Sequence, residues 1–296
     1  MVLGWHREPA AWVTLSRRDL VRLLDEHGLH PSRALGQNFV ADANTVRRIA
    51  RLAAVGPADR VLEIGAGLGS LTLALADTGA SVTAVEIDRH LLPVLRQLVE
   101  PRGVRVVAGD VLRLGWDQLL VPAGNHPAVD PDEPWTLVAN LPYNVAVPVV
   151  ARVLDEARTV TRLLVLVQRE VGLRLAAAPG DEHYGAVSVK VAYHATAIVI
   201  GKVPASVFVP RPKVESVLVQ LTRRRRVAVD PAAVAPERLF AVVRAGFAQR
   251  RKMLRRSLAG VVDPAAFAAA GIDPAARAEE LDVDAWGRLV RCDPSR

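Results

Sequence analysis

Apolar positions along this chain repeat with two periods. In TLSRRDLVRLLDEHG, Leu20, Leu23 and Leu24 share one helical face and Gly28 supplies a stop, which predicts a short amphipathic helix. HPSRALGQNFVAD has no such period and predicts an ordered loop. ADANTVRRIARLAAV resumes a helical pattern that Gly56-Pro57 ends. Short apolar strands then alternate with helices. RVLEIGAG, SVTAVEID, VRVVAGD, WTLVAN and RLLVLVQRE read as strands; SLTLALADTG, RHLLPVLRQLVE, PVVARVLDEA and EVGLRLAAA read as helices. VKVAYHATAIVIGKV and ESVLVQLTR, separated by PASVFVPRPKV, read as a pair of later strands. This alternation predicts an α/β fold with a mostly parallel sheet covered on both faces.

After the run Arg223 to Arg226 the pattern changes. Residues 236–290 are rich in Ala and Arg, helical in period, and punctuated by Asp-Pro at 263–264 and 273–274. The expected division is an N-terminal leader and helix (1–30), the α/β domain (31–226) and a small all-helical domain (227–296). Residues 1–13 have no clear period, and a Pro- and Asp-rich insert spans 121–134; neither suggests a role.

Composition narrows the class. At 51% hydrophobic and 23% charged residues the chain is globular rather than disordered. A net charge of +7 favours a polyanionic partner, although a high Arg content gives the same charge without one. One cysteine, Cys292, cannot form an intrachain disulfide, and no Cys/His cluster offers a metal site, so no metal is expected. No apolar run approaches the roughly 18 residues that span a bilayer, and the N-terminus has no signal-peptide core. A cytoplasmic protein with no membrane partner is expected.

The chemistry concentrates at strand ends. Gly65, Gly67 and Gly69 follow the first strand of the alternating series and precede a helix, so a ligand can approach the backbone closely. Such a turn alone fits several nucleotides. Its spacing, however, differs from the pyrophosphate-binding G-x-G-x-x-G, and Glu63, read as part of the loop region, would repel a pyrophosphate and favour a cation. Glu86 ends the next strand about 20 residues later, where a carboxylate chelates ribose hydroxyls. Asp110 ends the third, where it can accept from an adenine amine. A ligand with adenosine, a positive charge and no phosphate fits these acids, and S-adenosylmethionine is such a ligand. The fourth strand delivers Asn140, Leu141, Pro142 and Tyr143 to the same edge. The Asn140 side-chain oxygen and the Leu141 carbonyl could accept the two hydrogens of an adenine amine, with Pro142 holding Leu141 extended and Tyr143 stacking on the base.

With LGQNF, VLEIGAGLG, VEID, GD, NLPYN, VFVPRPKVESVLV and FAQRRKMLRRSL in this order, the chain from about Arg33 to its end resembles the rRNA adenine dimethyltransferases, most closely their KsgA branch. The resemblance implies a Rossmann-like methyltransferase domain with a helical C-terminal domain, and dimethylation of adjacent adenosines near the 3′ end of small-subunit rRNA. It implies that Asn38 and Val40 flank the methionine end of the cofactor, that Gly65 cradles it, and that Glu86 takes the ribose and Asp110 the adenine. It also makes Asn140 the residue that completes the transfer site, and Phe208 the second aromatic opposite Tyr143. The sequence departs from the family after NLPYN, reading VAVP where many relatives carry a Ser-Thr pair, which leaves the methyl-transfer assignment intact but weakens any claim about hydroxyl contacts there.

Arg250, Arg251, Lys252, Arg255 and Arg256 cluster in QRRKMLRR, where helical spacing would set Arg251, Arg255 and Lys252 on one face and turn Met253 and Leu254 inward. Together with Arg47 and Arg48 they suit RNA phosphates; the run 223–226 reads equally as a polar linker. The expected partner is an immature small ribosomal subunit, met by a monomer. Rival functions are a macrolide-resistance methyltransferase of large-subunit rRNA, a DNA adenine methyltransferase, and a non-catalytic assembly or transcription factor on the same fold.

Overall fold

Polar caps and glycine turns divide the chain where its apolar pattern breaks. The computed structural model describes residues 14–123 and 133–294; the leader 1–13 and most of the 121–134 insert lie outside them. The elements run α1 (Arg17–Glu26), β1 (Phe39–Val40), α2 (Ala43–Ala53), β2 (Arg60–Ile64), α3 (Ser70–Ala76), β3 (Ser81–Glu86), α4 (Leu92–Val99), β4 (Arg105–Ala108), α5 (Trp116–Leu119) and β5 (Trp135–Asn140). They continue with α6 (Ala146–Glu156), β6 (Val160–Gln168), α7 (Arg169–Ala176), α8 (Ala186–His194), β7 (Ala195–Val203), β8 (Phe208–Val209) and β9 (Ser216–Arg223). Four helices close the chain: α9 (Pro236–Ala248), α10 (Leu254–Ser257), α11 (Pro264–Ala270) and α12 (Val283–Arg291). Ser16 and Asp19 form a capping box at α1, and Asp42 caps α2 through Thr45 N at 2.6 Å.

The chain divides into two compact units. The first contains the described residues up to Ala146 with Thr159–Val167 and Lys202–Ser216; the second contains Val147–Arg158, Gln168–Gly201 and the chain from Val217 on. This division follows contact rather than chain order and does not coincide with the boundary expected at residue 226.

In the first unit five parallel strands stand in the order β4-β3-β2-β5-β6. Every residue of β2 and β3 is buried, as a sheet covered on both faces requires. Chain direction across the sheet reverses at β2 and β5, and the carboxyl ends of strands at such a switch point frame the ligand crevice. Away from these strands, β1 and β8 form a two-stranded antiparallel pair, Phe39 opposite Val209 and Val40 opposite Phe208.

The second unit is built around Trp286, Tyr184, Tyr193, Phe240 and Phe267 with aliphatic side chains of α9 to α12. Arg223 caps the end of α6, donating to the carbonyls of Val153, Leu154 and Ala157 at 2.9–3.0 Å, so the first arginine of the 223–226 run is structural. Two expectations fail here. VKVAYH, read as the start of a strand, is helix α8. Its Val-Lys-Val alternation imitates a strand, but Val189 and Tyr193 are drawn into the helical core, and Ser188 Oγ accepts from Gly185 N at the helix start. QRRKMLRR is not one helix: α9 stops at Ala248, residues 249–253 turn, and α10 starts at Leu254. Leu254 is buried as expected, but Met253 is exposed.

Candidate active site

The glycine turn after β2 comes first. Gly67 has φ +59°, and a Cβ there would stand 2.8 Å from the Phe39 ring; only glycine lets that ring lie against the turn. Gly65, at φ +76°, passes beneath the turn after β5, where a Cβ would meet Pro142 Cδ at 3.3 Å. Gly67 N donates to Glu86 Oε2 at 2.7 Å, and Asp88 N donates to Glu86 Oε1 at 2.8 Å. The carboxylate at the end of β3 is therefore held by backbone on both oxygens. Burial raises its pKa, and these N–H groups oppose the rise.

Asn140 ends β5. Its Nδ2 donates to the Asn38 carbonyl at 2.8 Å, which fixes the amide so that Oδ1 remains an acceptor. Leu141 N donates to Leu166 O at 3.1 Å, while no described donor reaches the Leu141 carbonyl. Tyr143 is half-buried, and its hydroxyl pairs with Ser216 Oγ at 2.8 Å. Burial pushes its pKa up, with the Ser216 bond acting against this, so the phenol stays neutral.

The loop before β1 closes the site. Gln37 Oε1 accepts from Ser32 N at 2.7 Å, and Gln37 Nε2 donates to Asp88 Oδ2 at 2.8 Å. Asn144 Nδ2 donates to Ala34 O at 3.1 Å. Two adjoining clefts open at this edge of the sheet. Gly67, Glu86, Asn38, Asn140, Leu141 and Tyr143 line the first; Asp110, Val111 and Asn144 line the second; Leu35, Gly65, Ile87 and Pro142 line both. These residues fit S-adenosylmethionine: one anchored carboxylate, a second at Asp110, apolar walls from Ile87 and Val111, and a glycine cradle.

The family model for ribosomal RNA adenine dimethylase matches residues 30–292. The chain belongs to the ribosomal RNA adenine dimethylase family. It is 48% identical over 289 residues to ribosomal RNA small subunit methyltransferase A of Cutibacterium acnes, covering 93% of each chain. Against the protein of that name from Nocardia farcinica it is 49% identical, covering 90% of this chain and 92% of the relative. Among solved structures, the 23S rRNA methyltransferase ErmE aligns with a TM-score of 0.64 at 27% identity, over 86% of this chain and 98% of its own. A dimethyladenosine transferase from Plasmodium falciparum gives 0.65 at 21% identity, over 83% and 94%, and supports the fold.

Within that family frame the placement of each expected residue can be stated. Asn38, Gly65, Gly67, Glu86, Asp110, Asn140, Leu141, Pro142 and Tyr143 all reach the two clefts. Val40 and Phe208 do not. Both are buried, paired across β1 and β8, and Phe208 has no exposed surface. Phe208 thus anchors the strand pair, and Phe39 is the aromatic of this region that meets the cleft. Glu63 also departs from expectation. It lies within β2, fully buried, and its pKa is raised to about 8, chiefly by burial and further by the Glu86 charge. The nearby Thr72 hydroxyl opposes the rise, by more than the Glu86 charge adds to it. At neutral pH Glu63 therefore keeps its proton and does not supply the negative charge expected of it.

Among the basic residues, Arg250 is tied to Glu279 at 2.7 Å and to the Glu182 carbonyl, whereas Arg251, Lys252, Arg255 and Arg256 are exposed. Arg47 bonds within α2, to Ala43 O and Asn44 Oδ1, and Arg48 reaches Lys202 O. Sequence reasoning gave no role to Gln37, Asp88 or Asn144. Their polar side chains within LGQNF, VEID and NLPYN were the only signal. No described helix is long and apolar enough to cross a membrane, and no described cluster of His, Cys, Asp or Glu could hold a metal ion.

Proposed function

We propose that the chain dimethylates the exocyclic amines of two adjacent adenosines near the 3′ end of small-subunit rRNA, with S-adenosylmethionine as methyl donor. The observation that carries this reading is the Asn140 amide, locked by Asn38 O so that Oδ1 stands as an acceptor beside the Leu141 carbonyl. When bound, S-adenosylmethionine supplies an electrophilic methyl group. Glu86 holds the ribose, Asp110 the adenine amine, and Asn38 with Gly65 the methionine end. Asn140 Oδ1 and Leu141 O accept the two hydrogens of the target amine, which favours a pyramidal nitrogen and stabilises its developing positive charge. Tyr143 offers a neutral ring face, worth roughly 1–3 kcal/mol per stacked base. A general base is not required, because the amine acts through its lone pair and its proton, made acidic by the new N–CH3 bond, passes to water after transfer.

Kinship supports the small subunit as substrate: relatives at 48% and 49% identity bear that name, against 27% for the large-subunit enzyme. We further propose that the chain acts as a monomer on the immature subunit in the cytoplasm. The test is methylation of unmodified small and large subunits with labelled cofactor, followed by mass spectrometry of rRNA fragments. Two dimethylated adenosines in a small-subunit 3′ fragment are expected; label confined to large subunits would overturn the assignment.

A further inference from the structure

The loop Ser32 to Asn38 forms one wall of the cofactor cleft, and its side chains do more than line it. Gln37 uses both ends of its amide. The oxygen accepts from Ser32 N within its own loop, at 2.7 Å, and the nitrogen donates to Asp88 Oδ2, on the turn after β3, at 2.8 Å. Asp88 is also fully used: Oδ1 accepts from His90 N at 3.0 Å, and its own N–H donates to Glu86 Oε1 at 2.8 Å. A continuous chain of bonds therefore runs from Ser32 through Gln37 and Asp88 to Glu86, ending at Gly67 N on the far oxygen. Gln37 and Glu86 line the same cleft.

We infer that Gln37 is a positioning residue, which clamps the cleft-closing loop to Asp88 and through Asp88 fixes the Glu86 carboxylate for the cofactor. Releasing the clamp frees two things at once: the loop that lines the cleft, and the turn that holds Glu86. The inference rests on the assignment of Glu86 to the cofactor ribose. Gln37 touches no reacting atom, so its effect falls on cofactor affinity and release rather than on turnover at saturation.

Reciprocal exchange of donor and acceptor tests it. In Gln37→Glu two carboxylates oppose each other. In Asp88→Asn the side chain keeps its acceptor for His90 N but turns an amide nitrogen toward the Gln37 amide nitrogen. In the double variant the carboxylate introduced at position 37 accepts from Ser32 N and from the amide introduced at position 88. That amide still accepts from His90 N through its oxygen, so every bond is restored with donor and acceptor reversed. Each single variant, checked for a native unfolding transition, is expected to raise the dissociation constant of S-adenosylmethionine at least tenfold and to speed its release, with kcat at saturating cofactor within threefold of wild type. The double variant is expected to recover most of that loss. Unchanged binding in the single variants, or a double variant no better than the worse single, overturns the inference. Glu86→Gln, measured alongside, separates the two claims. If it leaves affinity unchanged, the ribose assignment fails; if it weakens binding while Gln37→Glu does not, the clamp alone is wrong.

Discussion

Asn140 acts through the orientation of one amide. Because Nδ2 is spent on Asn38 O, only the oxygen is left to meet a substrate amine. Asn140→Ala should lower kcat about 10²- to 10³-fold, roughly 2.7–4 kcal/mol of barrier, comparable to losing one preorganised oxyanion-hole donor. Cofactor titration should still show binding, and near-normal turnover would exclude the acceptor role. Glu63 is the opposite case, a carboxyl whose surroundings take its charge away. Its pKa is 4.5 when solvated and about 8 when folded. Between those values the folded state keeps a proton that the unfolded chain has lost, so stability declines as pH rises through this window and levels off above it. The slope from this group reaches at most about 1.4 kcal/mol per pH unit. Glu63→Gln, neutral at every pH, should lose that component: in unfolding titrations from pH 5 to 9, its stability relative to wild type should rise with pH. A parallel pair of curves would mean that Glu63 is ionised in the fold.

Elements place these residues by backbone, and the glycine turn shows how tightly. Gly67 combines a left-handed φ of +59° with a ring 2.8 Å from where a Cβ would be. Gly67→Ala should cost about 1–3 kcal/mol of stability through strain and overpacking. It should also weaken cofactor binding, because Gly67 N is the donor to Glu86 Oε2. Calorimetric titration and denaturant unfolding check both effects; intact affinity would show that the turn does not define the cofactor site. The β1–β8 pair explains a different outcome. In a two-stranded ladder Val40 and Phe208 face each other and bury, and the motif that suggested a stacking aromatic supplies a core contact instead.

For the molecule as a whole, RNA affinity should depend on salt. Each phosphate contact contributes roughly 0.7–0.9 to the slope of log affinity against log salt. Arg251 and Arg255 are exposed and enter no ion pair among the described residues, so changing both to Ala should reduce the slope by about one to two. Arg250→Ala should leave it near wild type, since that side chain is engaged by Glu279. A slope unchanged in the double variant would move the footprint elsewhere. The strand–helix alternation, the order of the motifs and the acids at strand ends were legible in the sequence, because periodicity and glycine turns are local properties. VKVAYH was misread because burial in a helical core, supplied by residues far along the chain, overrode its local alternation. The sequence by itself thus determined which chemistry gathers at one sheet edge. Only the tertiary structure decided which groups carry charge and which atoms face the ligand: Glu63 uncharged, Phe208 buried, the Asn140 oxygen presented, Gln37 joined to Asp88. The reason is physical, since desolvation and hydrogen-bond partners come across the fold, from 51 residues away for Gln37 and 102 for Asn140.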